Sequence, residues 1–158
     1  YNNPRLGVDL DSDVMIELSQ LDNVSYFKET SRDMAKISRL IAEIDVAGHA
    51  GYFTTIEVLL PSLQLGGSGA LMPPPAVKLA VRIYDAYMEG RHEEAIELQR
   101  YFSLYPARWM QKGLLPAMKA SMKAIGQDVG DPLAPYEPLS ERQVAEIRKY
   151  LQSTGVYD

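Results

Sequence analysis

Apolar positions along the chain follow two spacings, one through the first half and another through the second. Val14, Met15 and Leu18 lie at helical intervals behind Asp11 and Ser12, either of which can cap a helix, and Asp22-Asn23 breaks that segment. The run Val24-Ser25-Tyr26-Phe27-Lys28 is β-type. Asp33 then opens a segment with Met34, Ile37, Ile41 and Ile44 on one face, and Gly48 and Gly51 interrupt it before a second β-type run, Tyr52-Phe53-Thr54-Thr55. Residues 57 to 65 are predicted to form a third helix ended by Gly66-Gly67, and Ser68-Gly69-Ala70-Leu71-Met72 a short buried strand stopped by Pro73-Pro74-Pro75.

Strands separated by helices of this length pair in parallel through right-handed crossovers, as in a doubly wound sheet or part of a (β/α)8 barrel. The second half is helical throughout. Val77, Ala80, Val81, Tyr84 and Met88 define one predicted face, closed by Gly90; Ala95, Ile96, Gln99 and Phe102 mark a helix over residues 93 to 110. Leu115, Met118, Met122 and Ile125 mark another, and Ser140-Glu141-Arg142-Gln143 is a capping box ahead of Val144, Ile147 and Leu151. Residues 130 to 138 form a proline-rich connector. So few strands cannot close a barrel, and a parallel half-sheet alone leaves an open edge and an uncovered face. A partner segment carrying earlier strands is therefore expected, and the opening Tyr1-Asn2-Asn3-Pro4, without a methionine, points the same way.

Composition removes several functions. A net charge of -5 gives no basic field for phosphates, so nucleic acid is not expected as a partner. No apolar run approaches the length of a membrane span, and the start lacks the regions of a signal peptide. With no cysteine, the chain has no thiolate nucleophile or disulfide, and a cytoplasmic location is the expectation. His49 and His92 stand apart, so a metal centre is not expected. The sequence Gly66-Gly67-Ser68-Gly69 precedes a strand instead of opening a helix, the wrong order for holding a nucleotide phosphate.

The residue with chemical potential is Lys28. It ends an apolar strand, and in a βα barrel the C-terminal strand ends carry the site. A lysine desolvated there loses part of its preference for the charged form, which frees its amine to attack a ketone; a strand-end lysine reaching solvent is the plainer alternative.

Two motifs add to this. Tyr1-Asn2-Asn3-Pro4 followed by Gly7-Val8-Asp9-Leu10, and Asn23-Val24-Ser25-Tyr26-Phe27-Lys28-Glu29-Thr30-Ser31 with Asp33, resemble the dihydrodipicolinate synthase and N-acetylneuraminate lyase family. Leu65-Gly66-Gly67-Ser68-Gly69-Ala70-Leu71-Met72 is similar to that family's pocket-lining glycine-rich strand. The resemblance spans the chain but only the back half of the family's fold. It implies an α/β chain: residues 1–75 as the second half of a (β/α)8 TIM barrel, then residues 76–158 as its last helix and a C-terminal helical extension.

It also implies a class I, Schiff-base-forming lyase acting on pyruvate or a related 2-oxo acid, with no cofactor beyond the lysine imine. Lys28 would form the imine and Tyr1 relay protons, while Arg5, Thr54 and Leu71 are the substrate-binding candidates. Glu29, on the other side of the strand, is expected to be structural. The missing N-terminal half would supply a carboxylate-binding Thr-Thr turn, and the helical tail suits a homo-oligomer, a dimer or tetramer.

Three departures leave the substrate open. Arg32 replaces a glycine of the lysine motif, which should remove easy access to positive φ. The Tyr1 motif is one residue short and lacks a threonine before Gly7. Thr54-Thr55-Ile56 stands where the family has Gly-Asp-Asp. A 2-keto-3-deoxy sugar-acid dehydratase or aldolase is the alternative substrate reading, and a non-catalytic fragment with an assembly role the alternative of another class. Tyr105 and Trp109 are expected to serve packing or an interface.

Overall fold

A computed structural model describes residues 1–109 and 112–157, with the side chains of residues 103–108 left out of the description. The chain divides into two compact units, Tyr1–Met72 and Pro73–Asp158.

In the first unit, helix α1 (Ser12–Ser19) precedes strand β1 (Tyr26–Lys28), and α2 (Met34–Leu40) precedes β2 (Gly51–Thr54). Helix α3 (Leu59–Gln64) then leads to β3 (Gly69–Ala70). The sheet is parallel in the order β1-β2-β3, with Lys28 beside Phe53 and Thr54 beside Ala70. One further parallel rung pairs Asn2 with Glu29, so the opening residues extend the sheet beyond β1. The helix–strand alternation read from the sequence is thus present, although β3 is only two residues long.

Helix α2 starts where its N-cap dictates: the Asp33 carboxylate accepts from the amides of Ala35 and Lys36. It widens into a π-helical turn over Ile41–Val46. Ile37, Leu40, Ile41 and Ile44 pack on Met15 of α1 and on Phe27 and Tyr52 of the sheet, forming the core between helices and strands. Asp45, at the end of the turn, accepts from the amides of Tyr52 (2.9 Å) and Ser68 (2.7 Å), tying together the starts of β2 and β3. Gly67 is required at its place, because a Cβ there would stand 3.1 Å from the Ser62 carbonyl oxygen and 3.0 Å from Ile41 Cδ1. The third helix is shorter than predicted: a 3-10 turn occupies Ile56–Val58, and α3 proper begins at Leu59.

The second unit contains α4 (Val77–Met88), α5 (His92–Trp109), α6 (Leu114–Ala124) and α7 (Glu141–Ser153). Helix α4 packs on α5 and α6 on α7. The capping box is present as read, with the Ser140 and Gln143 side chains exchanging bonds to each other's backbone and Val144, Ile147 and Leu151 buried. Two predicted faces are out of phase. On α4 the buried residues are Leu79, Ala80, Ile83 and Ala86, and Val77, Val81, Tyr84 and Met88 are exposed. This helix is apolar on two sides, so periodicity could not choose between them. On α6 the small residues Ala117, Ala120, Ser121 and Ala124 are buried, which lets α7 approach closely, and Leu115 lies outward. On α5, Ala95 and Phe102 are buried as expected, with Leu98 in place of the exposed Ile96. Trp109 is buried edge-on against Tyr150, a packing role; the Tyr105 side chain lies outside the described residues.

In the intact protein, truncating fully buried Ile41 to alanine is expected to cost about 3 kcal/mol through lost burial and a residual cavity. Ser140→Ala, which removes one cap bond, should cost about 1 kcal/mol, and urea midpoints at constant slope separate the two values.

Candidate active site

Strand alternation decides what each residue of β1 can reach. Phe27 is buried and Tyr26 exposed, so Lys28 shares the Tyr26 face, opposite the helices. The Tyr26 ring lies against Phe53 of β2, 6.0 Å between centroids, and Gly51 leaves space for it, since a Cβ there would come within 3.0 Å of that ring. From this face the Lys28 Nζ donates to the Thr54 carbonyl oxygen at 2.8 Å. The same oxygen accepts from the Leu71 amide at 3.1 Å, so the ends of three strands meet at one acceptor. Partial burial pushes the Lys28 pKa below the ordinary lysine range; Glu57 and Glu29 pull it up, and Arg32 lowers it further.

Glu29 turns to the helix side and is buried. Its Oε1 accepts from the amides of Thr30 (2.8 Å) and Ser31 (2.6 Å), and its Oε2 from Asn2 Nδ2 (2.9 Å), with Lys36 Nζ at 3.8 Å. Asn2, equally buried, also donates to Asp9 (2.8 Å) and accepts from the Leu10 amide (3.1 Å). Lys36 closes the network on Asp9 at 2.6 Å and holds the Asp9 carboxyl below its usual pKa, helped by Asn2. The expectation that Glu29 is structural thus acquires a content: it fixes the turn after Lys28 and the strand end before Asn3.

The same network places Tyr1. The Asn2 amide donates to the Lys28 carbonyl at 2.8 Å, and Asn2 is level with Glu29. Tyr1 is therefore level with Lys28, and alternation turns both away from the helix-facing Asn2 and Glu29. The Tyr1 hydroxyl accepts from Asn3 Nδ2 at 3.0 Å, and the residue is 75% exposed.

The other candidate residues are placed differently. The Thr54 side chain is fully buried on the helix face, its hydroxyl shared with Ser62 at 2.9 Å and 3.4 Å from the Gly69 carbonyl, so the polar group that faces Lys28 is its carbonyl. The neighbouring Thr55 hydroxyl is buried and has no hydrogen-bond partner among the described residues. Leu71 exposes its side chain, and Arg5 lies exposed in the 3-10 turn Pro4–Leu6, its amide bonded to Asn3. Arg32 corrects the sequence reading: it adopts φ +62° despite its side chain, so the turn keeps the left-handed conformation. Its guanidinium pairs with Glu57 at 2.7 Å.

Asn2, Lys36 and Glu57 were not singled out from the sequence. Asn2 and Glu29 lay inside the quoted motifs, but no spacing rule links residues 27 apart. Among the described residues no cluster of three or more histidines or carboxylates is arranged to hold a metal, and no helix is long and apolar enough to cross a membrane.

A parallel βα unit with a partly buried lysine at a C-terminal strand end places the chain among α/β proteins. The chain belongs to the dihydrodipicolinate synthetase family, whose profile matches residues 1–154. It is 29% identical over 155 residues to the 4-hydroxy-tetrahydrodipicolinate synthase of Methanothrix thermoacetophila, covering 96% of this chain and 52% of that protein. It is 28% identical to the L-threo-3-deoxy-hexylosonate aldolase of Hypocrea jecorina, covering 94% of this chain and 50% of the relative. The chain thus spans about half the length of the curated relatives it matches. Its fold superposes with a TM-score of 0.85 on a prophage protein of the dihydrodipicolinic acid synthase family from E. coli K12, solved with pyruvate, at 24% identity over 99% of this chain and 55% of the other. The dihydrodipicolinate synthase of Thermotoga maritima gives 0.81, again at 24% identity and 55% of its length.

Asn2→Ala leaves the buried carboxylate of Glu29 and the Asp9 carboxylate each short of a donor. It is expected to lower the stability of the intact protein by about 2 kcal/mol, read from urea denaturation.

Proposed function

We propose that this chain is the catalytic-lysine half of a (β/α)8 barrel lyase that forms a Schiff base with pyruvate or a related 2-oxo acid. The observation that carries the reading is Lys28: a half-buried amine with a lowered pKa at the C-terminal end of a parallel strand, level with a tyrosine on the same face. The family membership and the names of the relatives support it.

In this reading the neutral Lys28 amine attacks the C2 carbonyl, and the carbinolamine takes up one proton and loses water to leave a protonated imine. The imine draws electrons from C3, so a C3 proton can leave to give an enamine that adds to an aldehyde; the reverse sequence cleaves the same C–C bond. Hydrolysis returns the lysine and the 2-oxo acid. The Tyr1 hydroxyl moves protons to and from the substrate oxygens, and the Thr54 carbonyl aims the amine from the adjacent strand. Arg5, Leu71 and Thr54 border the substrate, Thr54 through its backbone. No cofactor beyond the lysine takes part. Strands from a preceding half complete the barrel and bring the carboxylate-binding turn, and the complete enzyme works as a homo-oligomer in the cytoplasm.

The aldolase among the relatives favours a second reading, a 2-keto-3-deoxy sugar acid as substrate, cleaved at C–C or dehydrated at C–O. Both readings share the imine.

Borohydride reduction of the complete protein with pyruvate should leave a stable adduct on Lys28, found by peptide mass, and none in Lys28→Ala. Failure to trap any 2-oxo acid would leave the non-catalytic fragment as the better description. Because desolvation lowers the folded pKa of Lys28, the trapping rate should rise with pH and level off below the range of a free lysine. Glu57→Gln removes the larger of the two carboxylate effects that oppose this shift, so it should move that plateau to lower pH.

A further inference from the structure

The Arg32–Glu57 pair has no place in the imine chemistry, yet it occupies the mouth of the site. Arg32 lies in the loop after β1 and Glu57 in the 3-10 turn after β2, both beyond the strand ends from which Lys28 projects. Arg32 holds φ +62°, a conformation that glycine adopts without strain and an arginine does not. The turn itself therefore gains nothing from this side chain; what the position delivers is a guanidinium in the loop after β1, within electrostatic reach of Lys28. That guanidinium already grips a carboxylate, with Nη2 2.7 Å from Glu57 Oε1, and both side chains are partly solvent-exposed, 47% and 26%. An ion pair so exposed is weak and can be exchanged for another carboxylate. The planar fork of an arginine suits such a group better than it suits a hydroxyl.

The geometry points to Arg32 as a specificity-determining residue that receives a second carboxylate, at the end of the substrate away from the 2-oxo acid group, displacing Glu57. The substrate class is then 2-oxo acids with an acidic tail, and acceptor aldehydes that carry an acid group, in preference to neutral polyhydroxylated tails. This rests on the proposed imine at Lys28, which fixes the other end of the substrate.

The test compares binding of 2-oxoglutarate and 2-oxobutyrate to the complete protein by calorimetry, with borohydride trapping of pyruvate in parallel. Arg32→Gln should weaken 2-oxoglutarate about tenfold or more while shifting 2-oxobutyrate less than about twofold. Arg32→Gly, which takes up this turn without strain, should repeat the result and guards against misfolding. Glu57→Gln, which removes the internal competitor, should tighten 2-oxoglutarate severalfold. Equal loss for both acids in the arginine variants, or no loss for either, overturns the assignment, as does weaker 2-oxoglutarate binding in Glu57→Gln. A missing pyruvate adduct in the unmodified protein overturns the Schiff-base reading instead, and the ratio of the two acids still decides the role of Arg32.

Discussion

The Glu29 carboxylate is buried on the helix side of β1, and a charge in that position is tolerated only because donors converge on it from three directions. The Thr30 and Ser31 amides fold the chain back after Lys28, Asn2 arrives from the neighbouring strand end, and Lys36 from α2 adds a charge within 4 Å. Two of these contacts constrain the other face. The turn sets where Lys28 ends, the Asn2 contact sets the rung that makes Tyr1 level with Lys28, and Lys36 ties helix α2 to Asp9. The order of the face that carries Lys28 and Tyr1 thus depends on side chains bonded on the opposite side of the strand.

The two faces of β1 use opposite electrostatics. Behind the strand, charges are paired and hydrogen-bonded, which holds segments in place. In front, Lys28 donates to a neutral acceptor, the Thr54 carbonyl, and its partial burial is only partly offset by the carboxylates of Glu57 and Glu29. An amine so placed is stable enough to be held and basic enough to be reached by protons, yet closer to neutrality than one on a solvated helix. Arg32 pushes in the same direction as burial, and Glu57 against it, so the pair at the mouth bears on the amine as well as on what enters.

Surface left open in each unit fits a chain that spans half of its relatives. Tyr26, on the sheet face, and Leu71, just after β3, are exposed apolar residues. In the second unit, the stripe of Val77, Val81, Tyr84 and Met88 on α4 is apolar and exposed. Helix α4 itself packs on α5 and on the 3-10 turn Pro74–Ala76.

By itself the sequence determined the order of elements, the parallel sheet and the capping of α2 and α7, because these follow from local periodicity and from side chains that bond within a few residues of themselves. Lys28 was visible as a strand-end lysine in an apolar run, but that position alone fits a lysine reaching solvent equally well, and it was the resemblance of its motif that singled it out. The phase of α4 and α6 was not legible, because apolar or small residues lie on more than one side of each and the choice is made by what packs there. Nor was the use of Thr54 by its carbonyl, with its hydroxyl turned to Ser62, or the left-handed turn at Arg32 held against Glu57. Tertiary structure alone decided these, together with the link between Asn2 and Glu29: buried polar groups must find partners, and the partners stand on other strands and helices, at separations no local pattern encodes.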